Sequence, residues 1–238
     1  MRICITNDDG IYGEGLCILA EWAKKLGEVV IYAPKVEQSA KSHAIEIHQS
    51  FEMKEVSHPA GVRAYAVDST PADCVRLAVL GLHEQFDLVF SGINKGLNIG
   101  RDIIYSGTVS AAFEAAALGI KAIAVSTDFT TFDTAEKYLD KVWEFIMEKD
   151  LLHKADVWNV NIPGSTTGDI RFTSQGGPYY SDDFARQEND HYLPLGKCVW
   201  ANTEDETLDT NAVLHHGCIS ITPLTYDRTD WNVLKKLL

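Results

Sequence analysis

Arg2-Ile3-Cys4-Ile5-Thr6-Asn7-Asp8-Asp9-Gly10 is the stretch that decides how this chain folds. Arg2 to Thr6 reads as a short buried strand, and it ends on two adjacent carboxylates and a turn glycine. From Gly13 to Leu26, Leu16, Leu19, Ala20, Ala23 and Leu26 recur at helical spacing. Strand, turn and helix in that order open an α/β sheet, whose ligands bind in the crevice beyond the carboxyl ends of the strands. Two anionic side chains placed there repel each other unless a cation lies between them, and hard oxygen donors suit Mg²⁺ or Mn²⁺. Asn-Asp-Asp-Gly is equally good turn chemistry, because an Asn side chain readily bonds the backbone just after it.

Outward from this start, strand and helix signals alternate. Val29–Ala33 reads as a strand, followed by a long irregular section from Pro34. Thr70-Pro71-Ala72-Asp73 opens a helix, with Thr70 as N-cap, Pro71 in the first helical position and Asp73 in the acidic third position of a capping box. Leu88–Ser91 is the next strand, Thr108–Leu118 an Ala-rich helix closed by Gly119, and Ile123–Ser126 a further strand. Thr134–Lys149 is amphipathic, with Tyr138, Leu139, Val142, Phe145 and Ile146 on one stripe, and Val157–Ile162 returns to strand. The alternation predicts the α/β class, a mainly parallel sheet flanked by helices. Asp169–Thr173, Lys197–Ala201 and Cys218–Thr222 read as strands joined by polar loops without helices. The expected organisation is one domain over 1–238 with a β-rich excursion at about 169–222 that packs against a partner subunit.

Composition narrows the function. Of 238 residues, 45% are apolar and 23% charged, ordinary for a globular chain with a sizeable core. A formal net charge of −13 argues against a nucleic-acid polymer as partner, since that grip needs clustered Lys and Arg. It leaves room for a small phosphorylated ligand if a metal supplies the local positive charge. Cys4, Cys17, Cys74, Cys198 and Cys218 form no Cys-x-x-Cys pair and stand in apolar contexts, so reduced, buried thiols are expected. No run approaches the length of a membrane span, and the first residues already belong to the fold, which points to a cytoplasmic protein.

Two more segments carry phosphate or metal chemistry. Ser91-Gly92-Ile93-Asn94-Lys95-Gly96-Leu97-Asn98-Ile99-Gly100 follows the strand at Leu88 and sets Asn94 and Asn98 among glycines. Glycine permits close backbone approach, and an Asn carbonyl oxygen can ligate a hard cation, although the run by itself reads first as a flexible loop of turn residues. Ser106-Gly107-Thr108 precedes the Ala-rich helix, where free N–H groups and hydroxyls make an anion site, or an ordinary N-cap. The Gly10, Gly13 and Gly15 spacing is not a dinucleotide fingerprint, and no Gly-x-Ser-x-Gly elbow occurs.

Together, Asn7-Asp8-Asp9-Gly10, Gln38-Ser39, Ser69 to Val75, Ser91 to Gly100 and Tyr105 to Val109 closely resemble the SurE family of metal-dependent nucleotidases, and Asn159 to Pro163 and Ser220 to Leu224 extend the match. The resemblance implies a Rossmann-like core, a β-hairpin extension in the C-terminal third used to form dimers or tetramers, and hydrolysis of nucleoside 5′- and 3′-monophosphates, with short polyphosphate as a further substrate. It implies one divalent metal on Asp8, Asp9, Ser39 and Asn94, catalysis by Asp8, Asp9 and Asn94, and phosphate held by Asn98, Ser106, Gly107 and Thr108. Either Asp8 or Asp9 would activate the water. The chain departs from the family pattern at Ala40, where Gly is usual, at Ser174, where Arg is common, and over Glu188–Gly196, which lacks a basic run. A phosphoacceptor switch domain would need an acceptor Asp where Asn94 stands, whereas a non-catalytic nucleotide-binding module shares every feature except the need for both carboxylates.

Overall fold

A computed structural model describes residues 1–238. Its centre is a nine-stranded sheet in the order β3-β4-β2-β1-β5-β6-β7-β11-β8. The strands are β1 (Arg2–Thr6), β2 (Glu28–Pro34), β3 (Met53–Val56), β4 (Arg63–Val67), β5 (Leu88–Lys95), β6 (Lys121–Thr127), β7 (Val157–Ile162), β8 (Ile170–Phe172) and β11 (Ile219–Leu224). The run from β4 through β2, β1, β5 and β6 to β7 is parallel; β3 and β11 join antiparallel to their neighbours β4 and β7.

Both faces are covered because alternate strand residues are apolar on both sides. Ile3 and Ile5 of β1 pack with Leu16, Leu19 and Ala20 of α1 (Glu14–Ala23) and with Leu139, Val142 and Ile146 of α4 (Asp133–Glu148). Cys4 points the other way, into a layer built with Val75 of α2 (Pro71–Arg76) and Val109, Ala112 and Ala115 of α3 (Gly107–Ala117). Alanines along α3 let that helix lie close on β5 and β6.

The structure revises several sequence expectations. The section after Pro34 is not wholly irregular: β4 pairs parallel with β2, and β3 folds back on β4. Thr70 caps α2 by accepting from the Asp73 N–H at 3.1 Å, but the Asp73 carboxylate does not complete a capping box. It accepts instead from the Ser69 hydroxyl at 2.5 Å and the Glu46 N–H at 2.8 Å, tying α2 to the preceding loop. In the C-terminal third, β8 and β11 are part of the main sheet, and only β9 (Tyr180–Arg186) and β10 (Tyr192–Cys198) form a separate antiparallel hairpin. The strand expected at Lys197–Ala201 therefore lies earlier, and its Cys198 is exposed, unlike the buried Cys4, Cys74 and Cys218. A helix, α5 (Asp209–Leu214), interrupts the region expected to lack one. Its Asp-Thr-Asn start hides the helical pattern, because these polar residues are buried and hydrogen-bonded rather than solvated. A final helix, α6 (Trp231–Leu237), buries none of its residues.

Gly15 shows how tightly α1 sits on the sheet. A Cβ there would lie 2.0 Å from the Ile93 carbonyl oxygen, so only glycine lets α1 approach β5 at this level. Gly→Ala inside a helix ordinarily stabilises by about 0.5–1 kcal/mol. Gly15→Ala is expected to do the reverse, lowering stability by about 1–3 kcal/mol as overpacking does, with urea unfolding followed by circular dichroism as the measurement.

Candidate active site at the carboxyl ends of β1 and β5

The sheet order reverses at β1, which has β2 on one side and β5 on the other. That switch point opens a crevice at the strand ends, and the chain delivers its carboxylates there. The turn after β1 is held by Asn7, whose Nδ2 donates to the Gly10 carbonyl at 3.0 Å and whose Oδ1 accepts from the Gly10 N–H at 3.2 Å. The turn chemistry and the acidic pair are thus one structure: Asn7 shapes the turn and Asp8 and Asp9 are presented by it.

Asp8 is only 4% exposed. Its Oδ1 accepts a short hydrogen bond from the Thr108 hydroxyl at the start of α3. Gly107 is the reason this helix end can come so near, since a Cβ there would stand 2.9 Å from the Asp8 Cβ and 3.0 Å from its Oδ2. Burial pushes the Asp8 carboxyl up to about 6; the Thr108 hydroxyl opposes the shift and the neighbouring Asp9 charge adds to it. Asp9 is raised as well, again by burial first, while the Lys95 N–H bonding its Oδ2 at 3.2 Å works against the rise. That bond joins the turn after β1 to the end of β5, one residue beyond Asn94.

The other sequence candidates gather around this pair. The Gln38 N–H donates to the Asp8 carbonyl at 2.7 Å, which brings the Ser39 loop alongside the turn. The Ser39 hydroxyl itself is exposed and donates to Glu37 at 2.7 Å. Ala40, next in line, has φ of 58°, the left-handed region that favours glycine. Asn94 donates through Nδ2 to the Gly96 carbonyl at 2.6 Å, leaving its Oδ1 as the available group. Ser106 is the N-cap of α3, accepting from the Val109 N–H at 3.0 Å. Asn98, expected at phosphate, is engaged within the protein: its N–H bonds Asn161, its Nδ2 bonds Ser126, and its carbonyl accepts from Asn159 and Asn161, all at 2.8–3.0 Å.

The donor chemistry suits a hard divalent cation. Two adjacent carboxylates, the Asn94 amide oxygen and the Ser39 hydroxyl are all oxygen donors. The chain gathers no cluster of three or more His, Cys, Asp or Glu side chains, so a sulfur- or imidazole-based zinc site has no support. Neither carboxylate is salt-bridged to a basic side chain; Lys95 acts on Asp9 only as a more distant charge. A buried anion left in that state calls for an external cation.

Sequence reasoning missed the braces beneath these loops. Asn159 and Asn161 are buried two apart in β7 and both reach the Asn98 carbonyl; two polar residues on one face of an otherwise apolar strand were the available signal. Asp209, fully buried, accepts from the Gly100 and Gly176 N–H groups at 3.0 and 2.8 Å and so joins the glycine loop to the segment before the hairpin. Nothing local marks Asp209, because its partners lie far away in sequence.

Residues 3–182 match the family described as Survival protein SurE. The chain belongs to the SurE family. It is 41% identical over its full length to the 5'-nucleotidase SurE of Thermoanaerobacter sp. (strain X514), of which the match covers 97%. It is 40% identical to the 5'-nucleotidase SurE of Caldanaerobacter subterraneus subsp. tengcongensis, across 99% of this chain and 95% of that protein. The crystal structure of the SurE protein from Aquifex aeolicus superposes with a TM-score of 0.79 at 33% identity, covering all of this chain and 98% of that one. A SurE fold so matched places the hairpin and the strand-end crevice within one architecture.

The raised Asp8 carboxyl has a consequence for stability. Its ordinary value is 3.8 and its folded value about 6, so the folded state keeps a proton that the unfolded chain gives up between them. Stability without metal should therefore fall as pH rises from about 4 to about 6 and stay low above. Asp8→Asn removes that cost and is expected to raise stability at pH 7 by about 1–3 kcal/mol. The gain should vanish below pH 4, as read by urea unfolding in EDTA across that pH range.

Proposed function

We propose that this protein is a divalent-metal-dependent phosphomonoesterase that hydrolyses nucleoside 5′- and 3′-monophosphates to nucleoside and phosphate, and short polyphosphate as a lesser substrate. The observation that carries this reading is the buried Asp8 carboxylate, adjacent to Asp9 and docked on the first turn of α3, with no basic side chain to neutralise it. The names of the relatives, each a 5'-nucleotidase SurE, support the substrate class.

Asp8, Asp9, Asn94 and Ser39 would hold one Mg²⁺ or Mn²⁺. Bound there, the cation supplies Lewis acidity toward a phosphoryl oxygen and eases loss of a proton from water. Asp8 is the anchored carboxylate, fixed by Thr108, and so serves as ligand. Asp9 is half-buried and has one oxygen clear of the Lys95 N–H, so it is the carboxylate that orients water and accepts its proton. Water attacks phosphorus as the ester oxygen leaves in line and takes up a proton, giving alcohol and inorganic phosphate. The start of α3 at Ser106, Gly107 and Thr108 faces this reaction with its positive dipole end, which favours the charge on the phosphoryl oxygens. Asn98, whose main chain is held by Asn159 and Asn161 and whose Nδ2 donates to Ser126, would turn its Oδ1 end to the phosphate side of the loop that carries Asn94.

The experiment is a phosphate-release screen over nucleoside monophosphates with and without EDTA. Activity is expected to disappear on chelation and to return on adding Mg²⁺ or Mn²⁺; full activity after dialysis against excess EDTA overturns the metal mechanism.

We also propose that the chain self-associates as a dimer or tetramer and works in the cytoplasm. Phe184, Tyr192, Leu193 and Leu195 of the hairpin are exposed in a single chain, and the two strands pair only with each other; apolar exposure on both faces of such an arm supports an interface. No helix is long and apolar enough to cross a membrane. Light scattering at micromolar concentration should return a multiple of 26.4 kDa.

A further inference from the structure

Ser39 stands in a stretch with no buried residue, Lys35 to Ser50, which joins β2 to β3. Apolar packing therefore cannot fix its position. Ala40 and Ser42 within it have φ of 58° and 54°, a left-handed conformation that residues other than glycine keep only where the surroundings impose it. Polar ties impose it here. The Gln38 N–H donates to the Asp8 carbonyl at 2.7 Å, and Ser42 donates through its N–H and hydroxyl to the Tyr105 and Ile104 carbonyls at 3.1 and 2.7 Å. Thr70 and Asp73 of α2 and its cap take the Ala44 carbonyl and the Glu46 N–H at 2.7 and 2.8 Å.

Only His43 ties this loop to α3. Its Nε2 lies 2.8 Å from Glu114 Oε2, while Arg76 Nη1 donates to Glu114 Oε1 at 2.9 Å. Glu114 is buried. Burial works to raise its carboxyl, yet the bonds from His43 and Arg76 hold it below its ordinary value. An ionised carboxylate can only accept, so His43 Nε2 carries the proton between them. A bond to a charged partner of this kind is roughly twice as strong as a neutral one. The Ser42 hydroxyl bond, by contrast, is neutral and lies at the surface.

Helix α3 thus carries two anchors. Thr108 in its first turn holds Asp8, and Glu114, about 9 Å further along the axis, holds His43. One rigid helix fixes Asp8 and the loop of Ser39 relative to each other. The Ser39 hydroxyl gives its proton to Glu37, which leaves the oxygen lone pairs for a cation. We propose that His43 is a positioning residue of the metal site: by docking the loop on Glu114 it keeps Ser39 with Asp8 and Asp9 for a divalent cation. The proposal rests on the metal-dependent reading above and adds what holds the one ligand that no packing fixes. His43 touches neither cation nor substrate in this role, so its removal acts through Ser39.

The test measures Mn²⁺ affinity by calorimetry on the full chain without substrate. His43→Ala is expected to weaken binding about tenfold, the usual effect of losing a group that orients a metal ligand. His43→Gln, whose amide can donate to Glu114 from a similar position, is expected to restore it. In a Ser39→Ala background, His43→Ala should cost nothing further, because non-additive losses mark residues that act through one another. Unchanged affinity in His43→Ala overturns the proposal, even where circular dichroism shows a lowered thermal midpoint. Failure of His43→Gln to recover affinity, or losses that add in the double variant, overturns it too. If the unmodified protein binds no Mn²⁺, the metal reading fails by itself, and hydrogen exchange over residues 38–46 still decides the docking. Faster exchange in His43→Ala than in His43→Gln sustains it, and equal exchange ends it.

Discussion

The contact between the Asp8 carboxylate and the first turn of α3 is the constraint around which the rest of this molecule is arranged. A carboxylate 4% exposed is held by the Thr108 hydroxyl, against a glycine that admits it and beside a second carboxylate that repels it. Geometry of this kind needs the helix close to the strand end. Alanines along α3 provide the close approach by lying flat on β5 and β6. The layer of small residues beneath α3 and the strained electrostatics at its tip are therefore two ends of one packing decision.

Loops around that contact cannot be held by hydrophobic burial, because the crevice must stay open. Buried polar side chains hold them instead. Asn159 and Asn161 grip the Asn98 carbonyl from β7, Asp209 grips the Gly100 and Gly176 amides from α5, and Asp102 grips the hairpin root. Each takes a main-chain group that would otherwise be unpaired at the edge of the site, where a missing partner costs about 1–3 kcal/mol. Burial raises the Asp209 pKa, and the Gly100, Gly176 and Thr210 N–H groups that converge on the carboxylate work against that rise. Held this way, the loops fix the side chains at the open crevice by hydrogen bonds within the protein.

The hairpin follows a different logic. Its strands pair only with each other, and its apolar residues face outward. It gains its fixed direction from the bonds that the Tyr179 and Tyr180 N–H groups at its root donate to Asp102.

Local sequence determined a good deal. The alternation of apolar strands with periodic helices determined the parallel core, since residue periodicity is imposed by the same backbone geometry that forms each element. Asn7 to Gly10 and the glycine-rich run to Gly100 marked the two strand ends that the structure brings together, although turn chemistry explains each stretch equally well by itself. Thr70 and Ser106 were readable as caps, since capping involves residues only three apart. Other features were decided by tertiary structure alone. Asp209 looked like loop, α5 was hidden by its polar start, and the hairpin lay earlier than its apolar residues suggested. Nothing in the sequence shows that Gly107 lies against Asp8, where a Cβ would stand 2.9 Å from the Asp8 Cβ. For Asp209 and Gly107 the deciding partner lies tens of residues away, and a buried polar group reveals its purpose only when the chain has brought that partner within hydrogen-bonding distance.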